Sequence, residues 1–199
     1  MKQIKLNKFA RSADQIIESV RGGKVVVLPF DTVYGLVANP FDELAIEKIY
    51  KIKGRSFDKP IALIFSSVEM LKKYISISAE QEKYILSKTP GAHTFILPWT
   101  VGDKKKFSSH YQKLEKIGLR IPDYQFILDF VGKIGQPIAA TSANISGQPN
   151  CWTTDDFIDQ IKNQIDEPDW IIDAGEMPKN PPSEVIDISN LQNIKILRN

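Results

Sequence analysis

The side chains of this 199-residue sequence that could do chemistry are cations, hydroxyls and amides, gathered in short clusters beside apolar runs. Asp31-Thr32-Val33-Tyr34-Gly35 follows one such run, and Lys53-Gly54-Arg55 leads through Asp58 to Lys59-Pro60 ahead of the next. Arg120 sits inside Gly118–Ile121, and Thr141-Ser142-Ala143-Asn144 follows Ile138–Ala140. Lysine and arginine hold phosphate and carboxylate oxygens, arginine through a planar fork of donors. Combined with hydroxyls and amides, they suit a polyphosphate together with a small polar substrate. Taken singly, each cluster has a plain structural use: Asp31 and Thr32 can make a turn, Lys53 and Arg55 can close a helix, and Ser142-Ala143-Asn144 can brace a loop. The joint pattern is what favours a site.

Several chemistries are excluded. Gly-x-x-x-x-Gly-Lys-Ser/Thr, Gly-x-Gly-x-x-Gly after a strand, and Gly-x-Ser-x-Gly are all absent from the sequence. One cysteine and two histidines offer no zinc spacing and no nucleophile with a partner base. Covalent catalysis and a resident metal are therefore not expected. Cys151 reads as a small residue beside a loop, and His93 as a partly exposed strand residue.

The clusters need a scaffold, and the apolar periodicity supplies one. Ser12 opens a capping box before Ala13, Ile16, Ile17 and Val20, and Gly22-Gly23 stop that helix. Val25–Leu28 is a continuous apolar run, as in a strand covered on both faces, and Pro29 ends it. Asp42 is placed to cap a helix with the stripe Leu44, Ala45, Ile49 and Ile52, closed by Gly54, with Lys48, Lys51, Lys53 and Arg55 crowding its end. Ile61–Phe65 is the next strand, and Ser66 and Ser78 start two short helices between Ser67 and Lys88. His93–Leu97, Gly118–Ile121 and Ile138–Thr141 read as strands, with a helix through Phe126, Ile127, Phe130, Val131 and Ile134 before the last of them. Thr154 caps a helix through Phe157, Ile158, Ile161 and Ile165, and Trp170–Asp173, Val185–Ile188 and Ile194–Leu197 follow as strands. The expectation is one α/β domain over residues 1–199, with a mixed sheet and its ligand site at strand ends.

The net charge of +2 hides a split. Residues 1–120 hold 21 Lys+Arg and 12 Asp+Glu, giving +9, whereas residues 121–199 hold 5 and 12, giving −7. A basic first part suits an anionic partner such as a nucleotide or RNA. For Lys72, Lys73 and Lys83 a solvated helix face is the better reading, and Lys104-Lys105-Lys106 belongs to a polar loop. The sequence has no long uncharged apolar run and no apolar segment of signal type after its first cations, so a cytoplasmic protein without membrane contact is expected.

The clusters also carry a resemblance. Pro29-Phe30-Asp31-Thr32-Val33-Tyr34-Gly35-Leu36, Lys53-Gly54-Arg55 with Asp58-Lys59-Pro60, Pro90-Gly91-Ala92-His93-Thr94, Leu119-Arg120-Ile121-Pro122, Ser142–Gly147, Pro182-Ser183-Glu184-Val185-Ile186-Asp187 and Leu197-Arg198 stand in one order. In them the chain resembles the YrdC-like threonylcarbamoyl-AMP synthase family, in its short single-domain TsaC form. The resemblance implies that L-threonine, bicarbonate or CO2, and ATP are joined into L-threonylcarbamoyl-adenylate and pyrophosphate, for the threonylcarbamoyladenosine modification of tRNA next to the anticodon. By the same carry-over, Lys53, Arg55 and Lys59 hold ATP phosphates, and Ala140, Ser142, Asn144, Asn150 and Arg198 complete the nucleotide site. Thr32, Arg120 and Ser183 bind threonine. Mg2+ accompanies the triphosphate, downstream threonylcarbamoyltransferase proteins take the product, and tRNA contact is a minor reading.

Three positions depart from the family pattern: Phe30 replaces a threonine, Ile64 stands where longer relatives have histidine, and Lys116 where many have a hydroxyl residue. They bear on the fine geometry of threonine binding. Trp152 is placed either to cover adenine or to pack. The expected fold is thus α/β, a twisted mixed sheet with flanking helices and a concave, positively charged face. Its rivals are a non-catalytic module that binds double-stranded RNA or tRNA, and a carbamoyl-adenylate-forming domain of the hydrogenase-maturation type.

Overall fold

A strand between two layers can be apolar at every position, and Val26–Leu28 (β2) is buried throughout. Its side chains alternate: Val27 enters one apolar cluster, Val26 and Leu28 another. That division runs through the molecule. The computed structural model describes residues 1–99 and 103–198. Its remaining strands are β1 (Lys2–Lys5), β3 (Gly35–Ala38), β4 (Ala62–Ile64), β5 (His93–Pro98), β6 (Lys116–Arg120), β7 (Ile138–Ser142), β8 (Trp170–Asp173), β9 (Glu184–Asp187) and β10 (Lys195–Arg198). They form one twisted sheet in the order β1-β8-β2-β3-β7-β4-β6-β5-β9-β10. The pairs β1–β8, β2–β8, β4–β6 and β5–β9 are parallel and the rest antiparallel, so the sheet is mixed as expected.

The helices divide between the two faces. On one, α2 (Glu43–Lys53), α3 (Val68–Lys72), α4 (Ala79–Leu86), α5 (Ser109–Gln112) and α7 (Thr154–Ile161) pack on Val27, Leu63, Phe95, Leu119 and Ala139. On the other, α1 (Ala13–Arg21) and α6 (Gln125–Ile134) pack on Val26, Leu28, Ile64, Ile138 and Ala140. Those two helices cover their face only from β1 as far as Ile64 of β4. Over β6, β5 and β9 the same face carries Gly118, Arg120, Thr94, Ile96 and Val185, which belong to neither apolar cluster. There the site lies.

Local chemistry explains most of the boundaries. Asp42 caps α2 by accepting from Ala45 N at 2.9 Å, and Gly54 ends it at φ 57°, a left-handed conformation that costs glycine little. Ser78 and Gln81 form the expected capping box of α4. Other expectations need correction. Ser12 makes no side-chain cap to α1, and Thr153 with Asp156, one residue earlier than expected, boxes α7. Leu44 is 75% exposed while Ile46 takes the buried place, and Ile165 lies exposed beyond α7. Strands β1 and β3 were not expected at all; Gly35–Ala38 folds back on β2 as an antiparallel partner, so the Asp31 cluster is a hairpin loop.

The last strand contains a bulge. Lys195 pairs with Asp187 and Ile196 with Ile186, but Arg198 then pairs with Val185, leaving Leu197 over. An extra residue turns the next side chain to the opposite face. Ile186 belongs to the helix-covered core whereas Val185 lines the open face, so the bulge is what delivers Arg198 to that open face.

Candidate ligand-binding site

Strand pairing puts the functional side chains in rows. Ile64 pairs with Arg120, Phe95 with Leu119 and Thr94 with Val185, which sets Ile64, Arg120, Thr94, Val185 and then Arg198 in line across five strands. The next row is small and apolar: Ala140, Ala62, Gly118 and Ile96. Together they floor a cavity of about 410 Å³, within the size range of small-molecule clefts. Its walls come from the Phe30–Gly35 loop, Arg55 and Pro60, Thr141-Ser142, Asn150, and Pro182-Ser183. The floor is deep because Gly118 has no side chain; a Cβ there would come within 3.3 Å of Ile96 Cδ1.

Of the eleven residues assigned by resemblance, Thr32, Arg55, Arg120, Ala140, Ser142, Asn150, Ser183 and Arg198 line this one cavity. Lys53, Lys59 and Asn144 do not. Lys59 lies exposed on the loop after α2, where its carbonyl accepts from Tyr50 Oη at 2.8 Å. Lys53 is 3% exposed and sits behind the wall, its ammonium donating to Ser142 O at 2.6 Å and to Asn144 O and Oδ1 at 2.9 Å each. Its ammonium is occupied by the Ser142–Asn144 loop in this structure. Burial pushes Lys53 down to about 7, with Arg55 adding to the fall and Cys151 opposing it.

The arginines differ in how they are held. Arg55 lies over the Tyr50 ring at 5.0 Å, makes one long contact to Pro60 O, and its buried Nε has no partner. Most of its guanidinium hydrogens are therefore unspent on the cavity wall, where an incoming anion would take them up. Arg120 is fixed by Asp31 Oδ1 at 2.6 Å, Thr32 Oγ1 at 3.4 Å and Gly91 O at 3.4 Å. Burial lowers its pKa and Asp31 opposes that fall. Arg198 donates from Nε and Nη2 to Ser183 O at 3.1 and 2.8 Å, and from Nη2 to Ser183 Oγ at 3.2 Å.

Two participants escaped the sequence reading. Thr94 lies in a motif with no role attached to it, yet its hydroxyl is buried in the cavity and shares a hydrogen with Ser183 Oγ at 2.9 Å. Asp31 looked like a turn residue and is the buried partner of Arg120. Of the departures, Phe30 and Ile64 line the cavity, while Lys116 pairs outside it with Asp187 at 2.7 Å. Trp152 packs against the core and is not part of the cavity lining, His93 Nδ1 donates to Lys88 O, and burial pushes the Cys151 thiol up to about 12. Lys104 donates to Leu114 O, so the Lys104–Lys106 run is not wholly solvated. Among the described residues no three His, Cys, Asp or Glu side chains converge on a metal position, and no helix is long and apolar enough to cross a membrane.

The uncovered face of a mixed sheet thus collects arginines, hydroxyls and a small-residue floor around one cavity. The chain belongs to the Sua5/YciO/YrdC family: the model Sua5_yciO_yrdC, described as "Telomere recombination", matches residues 18–199. It is 32% identical over 177 residues to the threonylcarbamoyl-AMP synthase of Vibrio vulnificus strain YJ016, covering 87% of this chain and 91% of that one. Among solved structures, P. abyssi Sua5 complexed with L-threonine superposes with a TM-score of 0.85 at 29% identity, over 99% of this chain and 56% of that one. The chain thus spans little more than half of that archaeal protein. Escherichia coli YciO matches with a TM-score of 0.82 at 26% identity, over 100% of this chain and 94% of that one.

Proposed function

We propose that this chain is a threonylcarbamoyl-AMP synthase, a nucleotidyltransferase that works in the cytoplasm as one domain over residues 1–199. The observation that carries the reading is the convergence of Thr32, Arg55, Arg120, Ala140, Ser142, Asn150, Ser183 and Arg198, drawn from widely separated segments, on one cavity. The reaction adds the threonine amine to CO2, derived from bicarbonate, giving a carbamate. A carbamate oxygen then attacks the α-phosphorus of ATP, and the bond to the β-phosphate bridging oxygen breaks, releasing pyrophosphate.

Nothing in that sequence needs a protein nucleophile. Negative charge accumulates on the phosphates, so the residues serve by orienting the reactants and by supplying fixed donors. Arg120, already rigid, offers its remaining N–H edge to the threonine carboxylate, with Thr32 and Ser183 beside it. Arg55, with most of its guanidinium hydrogens unspent, meets the phosphates, and the exposed Lys59 reaches them from the loop when nucleotide is present. Mg2+ enters with the triphosphate as part of the substrate, held by phosphate oxygens. The product passes to downstream threonylcarbamoyltransferase proteins for tRNA modification, and any contact with tRNA is secondary to catalysis.

The test is pyrophosphate release by purified protein given ATP, Mg2+, bicarbonate and L-threonine. Release should need all three reactants, and threonine-labelled adenylate should accumulate with it. Tight RNA binding with no pyrophosphate from any mixture would overturn the reading in favour of a non-catalytic RNA module.

A further inference from the structure

Ser142 is a cavity residue whose hydroxyl hydrogen is already committed. It donates to Asn144 Oδ1 at 2.6 Å. The orientation of that amide is fixed in turn: Asn144 Nδ2 donates to Gln148 O at 2.8 Å, while Oδ1 also accepts from Lys53 Nζ at 2.9 Å. An ammonium has three hydrogens, and the short contacts of Lys53 go to Ser142 O, Asn144 O and Asn144 Oδ1, with Ser142 Oγ a longer 3.5 Å from the same nitrogen. Turning the amide over would aim an NH2 group at an ammonium and lose both contacts. The Lys53 carbonyl holds the same loop again by accepting from Ser146 N at 2.8 Å.

From this chain of contacts we infer that Lys53 is a positioning residue: through Asn144 it makes Ser142 a hydrogen-bond acceptor, so that Ser142 receives a donor of the nucleoside and not a phosphate oxygen. Phosphate oxygens at neutral pH only accept, and a hydroxyl whose hydrogen is spent has nothing to give them. On an adenosine nucleotide the donors are the ribose 2′- and 3′-hydroxyls and the N6 amine. The Lys53-Gly54-Arg55 motif is therefore split in function. Arg55 faces the cavity, and Lys53 works behind it on the wall that meets the nucleoside. The inference rests on a nucleotide occupying the cavity, as in the function proposed above, and it is read by binding alone without turnover.

The experiment measures calorimetric affinities for adenosine, AMP and ATP in wild type, Lys53→Met, Ser142→Ala and the double variant. Lys53→Met and Ser142→Ala are expected to weaken adenosine and ATP by the same factor, about five- to twentyfold, with the double variant no worse than the poorer single. A Lys53→Met variant that loses ATP affinity but keeps adenosine affinity would overturn the inference, since that marks a direct phosphate contact. If Lys53→Met does not fold, Asn144→Ala breaks the chain one link later and carries the same expectation.

A second arm uses 2′-deoxyadenosine, 3′-deoxyadenosine and purine riboside, each lacking one donor. Wild type should lose affinity for one of them, and Ser142→Ala should be insensitive to that same deletion. Independent, additive losses for all three would sink the assignment. Adenosine binding with this pattern but no pyrophosphate release would retire the proposed reaction and leave the inference standing. Failure of wild type to bind any of the six compounds would remove both.

Discussion

Asp31 Oδ1 lies 2.6 Å from Arg120 Nη2, with both side chains nearly buried at 11% and 8% exposure. The carboxylate also accepts from Asp123 N at 3.0 Å, and the Asp31 carbonyl accepts from Asn180 Nδ2 at 2.9 Å, so the pair ties three loops together. Breaking a buried pair leaves a charge without a partner. Asp31→Ala should therefore lower stability by about 3 kcal/mol, and Asp31→Asn by less because a hydrogen-bond acceptor survives. Urea unfolding checks it; equal melting curves for Asp31→Ala and wild type would show that the pair contributes nothing.

Gly118 offers a test of depth. A valine there would meet Ile96 Cδ1, Ala62 and Thr94 on the floor and occupy ligand space without disturbing a special backbone angle. Gly118→Val is expected to fold, with Tm close to wild type, yet to raise the apparent KM for ATP or threonine by tenfold or more. Unchanged KM values would place both substrates away from this floor.

Arg55 is the cation with most unspent donors on the wall. Arg55→Ala should cut kcat/KM for ATP by about a hundredfold, a typical loss for one donor to developing charge. Arg55→Lys should recover little of it, because an ammonium cannot reproduce the planar fork or its stacking over Tyr50. Steady-state pyrophosphate assays decide it.

Lys53 predicts a pH effect with a definite sign. Its folded pKa of about 7 lies below the ordinary 10.5, so between those values the unfolded chain holds more protons. Stability contributed by this group should then rise with pH across that window, and below about 7 the burial cost is carried in full. Adenosine affinity should move the opposite way, falling as the ammonium that holds Asn144 is lost. Unfolding and binding curves of wild type and Lys53→Met compared from about pH 6 to about pH 9 isolate the effect; parallel curves would refute it.

How much of this was legible depended on range. The caps at Asp42 and Ser78 act within three residues, and both formed as read. Strand β3 was hidden because Gly35–Ala38 is four small or apolar residues directly after a polar turn, and only pairing on both sides, with β2 and β7, makes it a strand. Strand β1 has a single apolar residue, Ile4, and depends on β8 in the same way. In the site, motif residues such as Arg120 and Ser142 could be named, but the direction of Lys53 could not. Lys53 and Arg55 flank Gly54, whose left-handed turn sends the two cations to opposite sides of one wall. Thr94 required the register of β5 on β9 and the hydroxyl of Ser183, which lies 89 residues away.

The two-against-one step at Leu197 has a thermodynamic corollary. Strand β10 is solvent-exposed along its length and among the described residues pairs with β9 alone, yet it carries one of the cavity's guanidinium groups. Gripping an anion and zippering this edge are then a single linked equilibrium, and whatever favours one favours the other. Amide hydrogens from Ile196 to Arg198 should exchange more slowly once nucleotide is added, which would make the frayable margin of the sheet a gauge of occupancy.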